Sequence, residues 1–142
     1  MNAKQRKELA DLRSRIESQS NRLEGIVSEL DTPIDEDEKK AHHDTINDVC
    51  EKLEDINTEV EQIKEDEEEK FGNMPEGLQD AEGGQKIEAA AEALGEAFGY
   101  IESAVYMLRC KLEPHEDLVT RLTEVKEDDM QNAIDQLEAA AE

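Results

Sequence analysis

Apolar residues along this chain recur at alternating steps of three and four, the spacing that places them on one face of an α-helix. In the first such stretch, about 2–30, Leu9, Leu12, Ile16, Leu23, Ile26 and Leu30 keep the step, with Gln19 standing where a seam residue belongs. Asp31-Thr32-Pro33 closes it, because proline has no amide hydrogen and turns the residue before it away from helix. The second and longest stretch, about 36–71, carries Ile46, Val49, Leu53, Ile56, Val60 and Ile63 without a break. That pattern predicts a narrow coiled-coil seam rather than a broad globular face, on a helix that would run to roughly 50 Å.

A third stretch, about 84–112, repeats the step with Ile87, Ala91, Leu94, Phe98, Ile101, Val105, Leu108 and Leu112. It also holds Gly95 and Gly99 one turn apart; a mid-helix glycine costs about 1 kcal/mol against alanine, so close approach of a neighbouring helix is expected there. Glu113-Pro114 ends it, and a fourth stretch, about 115–140, carries Leu118, Leu122, Val125, Ala133, Ile134 and Leu137, with Asp128 and Asp129 interrupting the seam. Between the second and third, residues 72–84 contain a proline, an asparagine and four glycines, which predicts a reversal of direction. Met74 and Leu78 within it either plug the open end of the hairpin or form an exposed contact at its tip.

The fold class expected is therefore all-α: a single domain over 1–142, built as an elongated coiled-coil-like hairpin with additional N- and C-terminal helices. In the hairpin Ile63 should lie near Ile87 or Ala91. Two helices bury little apolar area, so self-association into a homo-oligomer is expected, unless the outer helices complete a bundle within one chain.

Composition sharpens this picture. Thirty-nine acidic residues against sixteen basic ones give a formal net charge of −23 in 142 residues, a balance that usually means disorder unless the apolar side chains are placed to be buried together. With no Trp, two Phe and two Tyr, a large globular core is out of reach and a seam between helices is what remains. No stretch approaches the roughly 18 consecutive apolar residues of a membrane span, and no secretory leader is seen, so a cytoplasmic location is expected. The charge is uneven. Residues 1–22 hold six basic and three acidic side chains, a net of +3 that leaves −26 for the rest. Such a basic helix either reaches an acidic surface elsewhere or lies against the acidic remainder, in cis or in a second copy.

Chemistry-bearing patterns are sparse. There is no phosphate-binding glycine loop, no Gly-x-Ser-x-Gly elbow and no His-Glu-x-x-His helix, so no enzyme and no cofactor are expected. Cys50 and Cys110 lack metal-ligand spacing and read as reduced thiols beside the seam; His42, His43 and His115 read as surface histidines. Asp31, Asp35 and Asp37 lack the glycine and terminal glutamate of a calcium loop, and no metal site is assigned. The richest feature is the run from Glu51 to Glu69, with ten acidic and two basic residues and five consecutive acids, Glu65 to Glu69. Its net of −8 over nineteen residues is roughly one charge per 3.5 Å of helix axis, close to the roughly 3.4 Å phosphate spacing of one nucleic-acid strand.

The long acidic heptad helix, the segment Phe71-Gly72-Asn73-Met74-Pro75-Glu76-Gly77-Leu78-Gln79 and the Ala- and Glu-rich helix after it together resemble small acidic coiled-coil proteins of bacteriophage and prophage genomes. The resemblance covers roughly 46–108, and those relatives are mostly of unassigned function. It implies a phage or prophage origin, and with it the cytoplasm of a bacterial host cell as the location and the behaviour of small acidic inhibitors of host nucleic-acid-binding defences.

Two functions are expected from these readings. One is an inhibitor whose carboxylates, chiefly Asp55, Glu59, Glu61, Glu65, Asp66 and Glu68, occupy the basic groove of a host nucleic-acid-binding enzyme. The other is a phage structural, scaffold or adaptor protein acting through coiled-coil self-association, with Met74 and Leu78 as an alternative contact. Direct nucleic-acid binding is disfavoured because phosphate would be repelled everywhere except at the first helix.

Overall fold

The computed structural model describes residues 1–112 and 117–142, and every regular element in them is helical: α1 (Ala3–Glu29), α2 (Glu36–Asn73), a single turn α3 (Glu76–Gln79), α4 (Glu82–Arg109), α5 (Leu118–Glu124), a π-helical turn (Val125–Met130) and α6 (Gln131–Ala141). His115 and the Glu113-Pro114 stop lie outside the described residues.

Helix starts are set by local chemistry. Asn2 opens α1 with a reciprocal capping box, its side chain accepting from the Gln5 amide at 2.8 Å while the Gln5 side chain accepts from the Asn2 amide at 3.1 Å. Asp35 caps α2 by accepting from the Glu38 amide at 2.8 Å, and Glu36, Asp37 and Glu38 fill a first turn whose partial positive charge favours acids. The reversal after α2 is itself ordered. The Gln79 amide donates to the Phe71 and Met74 carbonyls at 2.8 and 3.1 Å, satisfying the end of α2. Gly84 is required here, since a Cβ would sit 2.5 Å from the Leu78 and Gln79 carbonyl oxygens. Of the two apolar loop residues, Met74 is half-buried while Leu78 is 53% exposed.

The hairpin forms in the expected reversed sense. Asn57 donates to the Phe98 carbonyl at 3.3 Å, and the Lys64 stem lies beside Ala91 and Gly95. It does not stand alone. Arg6, Arg13 and Glu24 of α1 meet Ala141, Glu138 and Lys126 in descending order, and Arg15 and Arg22 meet Glu59 and Asp48 of α2. Each long helix thus runs antiparallel to two neighbours, in the cyclic order α1, α2, α4 and the C-terminal helix. The first and last segments complete a four-helix bundle and cover the seam that two helices would leave open.

Having two neighbours widens the buried face. Helix α1 keeps the strict step from Gln5 through Leu9, Leu12, Ile16, Gln19, Leu23 and Ile26. On α2, however, Cys50 and Asn57 are buried as well, so the narrow seam expected there is corrected to a face of three positions per two turns. On α4, Ala90, Ala97 and Ala104, seven apart, form a second buried row beside Ala91, Leu94, Ile101 and Val105, while Ile87, Phe98 and Leu108, and Leu112 beyond the end of the helix, are only half-buried. The close-approach reading of the α4 glycines is also corrected. Gly95 accommodates the Lys64 stem, whose Cε would lie 3.2 Å from a Cβ, and Gly99 faces open space.

Asp128 and Asp129 sit in the π-helical turn. Its extra residue lets the buried positions step from Leu122 and Val125 to Met130, then to Ala133, Ile134 and Leu137, so the seam is carried across the interruption. Asp129 accepts from the Ser103 hydroxyl at 3.1 Å. Burial pushes its carboxyl above the usual range, the Ser103 hydrogen bond opposing and Asp128 adding to the rise. Arg121, 6% exposed, donates to the Met107 and Cys110 carbonyls at 2.9 and 3.3 Å and closes the C-terminal end of α4.

Candidate acidic binding face

Along α2 the step of three and four that builds the core also sorts the acids. Asp55, Glu59, Gln62 and Asp66 form one stripe, and Glu54, Thr58, Glu61, Glu65 and Glu68 another. All six acids singled out from the sequence are exposed, yet they do not share one face.

The first stripe turns toward α1. Glu59 is paired with Arg15 at 2.5 Å, and Glu59 and Asp66 line a groove of about 580 Å³ whose other wall carries Lys4 and Lys7. Three arginines of the first helix are therefore engaged within the chain, Arg15 on Glu59, Arg22 on Asp48 at 2.7 Å and Arg13 on Glu138 at 3.9 Å. The second stripe turns toward α4, where cations are few. Lys64 holds Glu68 at 2.6 Å, and Arg109 is bonded to Glu54. Glu61 and Glu65 have no ion-pair partner among the described residues.

Two features escaped the sequence reading. Glu67 is fully buried, salt-bridged to Lys70 at 2.8 Å, and Lys70 also donates to Gln5 at 2.5 Å, tying the end of α2 to the capping box of α1. One of five consecutive acids thus belongs to the core. The signal was present: Glu67 lies four residues after Ile63, on the seam. The second feature is a row on α4, where Glu88 and Glu92 face Glu68 across one groove and Glu102 faces Glu61 across another. The phosphate-like spacing is corrected accordingly. Counted along the axis it mixed two stripes and a buried residue; on the outward stripe Glu61, Glu65 and Glu68 are spaced by about 4.5–6 Å, with the α4 carboxylates as a parallel row.

The cysteines and histidines among the described residues offer little reactivity. Cys50 is buried and Cys110 half-buried, both as free thiols; burial pushes the Cys50 thiol up, Arg109 opposing and Glu54 and Glu51 adding to the rise. His43 is exposed, but His42 is not the surface residue expected: it is 7% exposed, with Nε2 3.2 Å from a Glu29 carboxylate oxygen. Among the described residues no cluster of three or more His, Cys, Asp or Glu side chains is arranged to hold a metal ion, and no helix is long and apolar enough to cross a membrane. No protein family, no curated protein and no solved structure matches this chain.

Proposed function

We propose that this protein is a non-enzymatic interaction module that presents the α2–α4 face to the basic groove of a nucleic-acid-binding protein, in competition with nucleic acid. The observation that carries the reading is the division of charge around α2. Arginines of the first helix neutralise one flank, while the other keeps Glu61, Glu65, Glu88, Glu92 and Glu102 exposed. Tyr106 is the large hydrophobic side chain most exposed on that face, so affinity would come chiefly from charge complementarity and steering. The resemblance to acidic phage proteins points to a bacterial host's defence enzyme as the partner. The bundle also favours this reading over a scaffold working through heptads, because the apolar seams that would drive self-association are buried within one chain.

Capture from bacterial lysate at low and high salt, followed by displacement with a duplex oligonucleotide, tests it. A basic nucleic-acid-handling protein should be retained at low salt, released by salt and released by the duplex. Reversing Glu61, Glu65 and Glu68 to lysine should abolish capture with helicity intact. Retention of the partner by that folded variant, or indifference to the duplex, would overturn the reading.

A further inference from the structure

One of the two grooves on this face holds a buried polar side chain. Between the middle of α2 and the C-terminal half of α4 lies a groove of about 480 Å³, with Asn57, Phe98, Glu61, Glu102 and Tyr106 along it. Asn57 belongs to the buried face and is only 9% exposed. Its amide nitrogen is turned to the Phe98 carbonyl, and its Oδ1 is left as a buried acceptor with no partner among the described residues. An unmet buried acceptor costs free energy that a donor entering the groove would recover. Above it, Glu61 and Glu102 are exposed carboxylates without ion-pair partners among the described residues. Tyr106, 68% exposed, presents its ring beside them. At the far end the groove already holds a guanidinium of its own, Arg109, bonded to Glu54.

These groups are acceptors, anions and a π-face, and the groove's one cation is already engaged. A planar cation with several N–H donors meets all of them together: it can lie on the tyrosine ring, fork to a carboxylate and leave a donor for the amide oxygen. A lysine ammonium is a strongly hydrated point charge and lacks the stacking plane. We propose that this groove is a receptor for an arginine side chain of the partner protein, making Asn57, Glu61, Glu102 and Tyr106 the anchor within the acidic face. This rests on the interaction-module reading above and adds to it the side chain that is recognised.

The test uses the intact protein and needs no partner. N-acetyl-arginine amide, its lysine counterpart and its citrulline counterpart are titrated separately while the Asn57 side-chain amide and Tyr106 ring resonances are followed by NMR. Saturable shifts at both residues with the arginine probe, weaker with lysine and absent with citrulline, are expected. Tyr106→Ala should weaken arginine binding roughly two- to fivefold, the effect of an exposed cation–π contact, and Glu102→Gln should weaken it further; both positions are exposed, so the fold is spared. Equal shifts from arginine and lysine spread over all exposed acids, or no shift at Asn57, would overturn the proposal. Loss of partner capture with arginine binding intact would count against the competition reading alone.

Discussion

At the scale of single residues, the most consequential group is one that its neighbours conceal. Glu67 is a fully buried carboxylate whose one cation among the described residues is Lys70, and its second oxygen has no hydrogen-bond partner among them. Removing one member of such a pair leaves a charge uncompensated, whereas replacing the charge itself with an apolar side chain is often neutral or better. Lys70→Ala should therefore destabilise by about 2 kcal/mol, short of the 3–5 of a wholly buried pair because Lys70 is partly solvated. Glu67→Leu in the Lys70→Ala background should restore the urea midpoint, and failure to restore it would mean that Lys70 acts through Gln5 rather than Glu67. Asp129 makes a prediction with a defined sign. Its folded pKa is raised, so protonation favours the fold and the penalty of its charge is present above the carboxylate range. Asp129→Asn, which keeps an acceptor for Ser103, should raise Tm at neutral pH, and the advantage should vanish as pH falls below the ordinary carboxylate pKa. A pH-independent difference would tie the gain to something other than this titration.

At the scale of elements, the π-helical turn explains how a seam survives two aspartates. The step from Val125 to Met130 is five residues, one more than an α-helix needs to return to the same face. Deleting Asp128 shortens that step to four and should convert the turn to α-helix with Met130, Ala133, Ile134 and Leu137 still in the core. Deleting Lys52, an exposed residue of α2, should instead rotate Leu53 to Ile63 off their face and abolish cooperative unfolding by circular dichroism. Equal damage from the two deletions would deny the turn its role as a register device. The same comparison shows what periodicity conveys. Proline and glycine punctuation marked the ends of α1, α2 and α4 to within about three residues, because those signals are local. Met130 was overlooked because a step of five breaks the template. The third buried positions, Cys50 and Asn57 on α2 and the alanines of α4, were hidden because a two-helix hairpin and a four-helix bundle share the same heptads. Among the site residues, exposure of the six acids followed from the α2 pattern; their division into two stripes with different neighbours depended on where α1 and α4 pack.

For the whole molecule, one set of carboxylates opposes folding and would drive binding, so salt should move the two in opposite directions. At −23 the compact chain repels itself, and shortening the screening length from about 10 Å at 0.1 M to about 3 Å at 1 M relieves repulsion between exposed charges. The ion pairs of α1 are lost by the same screening, but exposed pairs contribute little, about 0–1 kcal/mol each, and few of them stand against the excess of acids. Tm should therefore rise with sodium chloride while partner capture weakens. Reversing Glu61, Glu65 and Glu68 to lysine moves the formal charge six units toward neutrality from −23, so that variant should be more stable than the parent at low salt and show a flatter dependence of Tm on salt. A parent Tm that falls as salt is added would mean that Arg15–Glu59, Arg22–Asp48 and their neighbours outweigh the repulsion. The acidic face would then be a stabilising part of the bundle, and its cost to the fold would no longer argue for a partner.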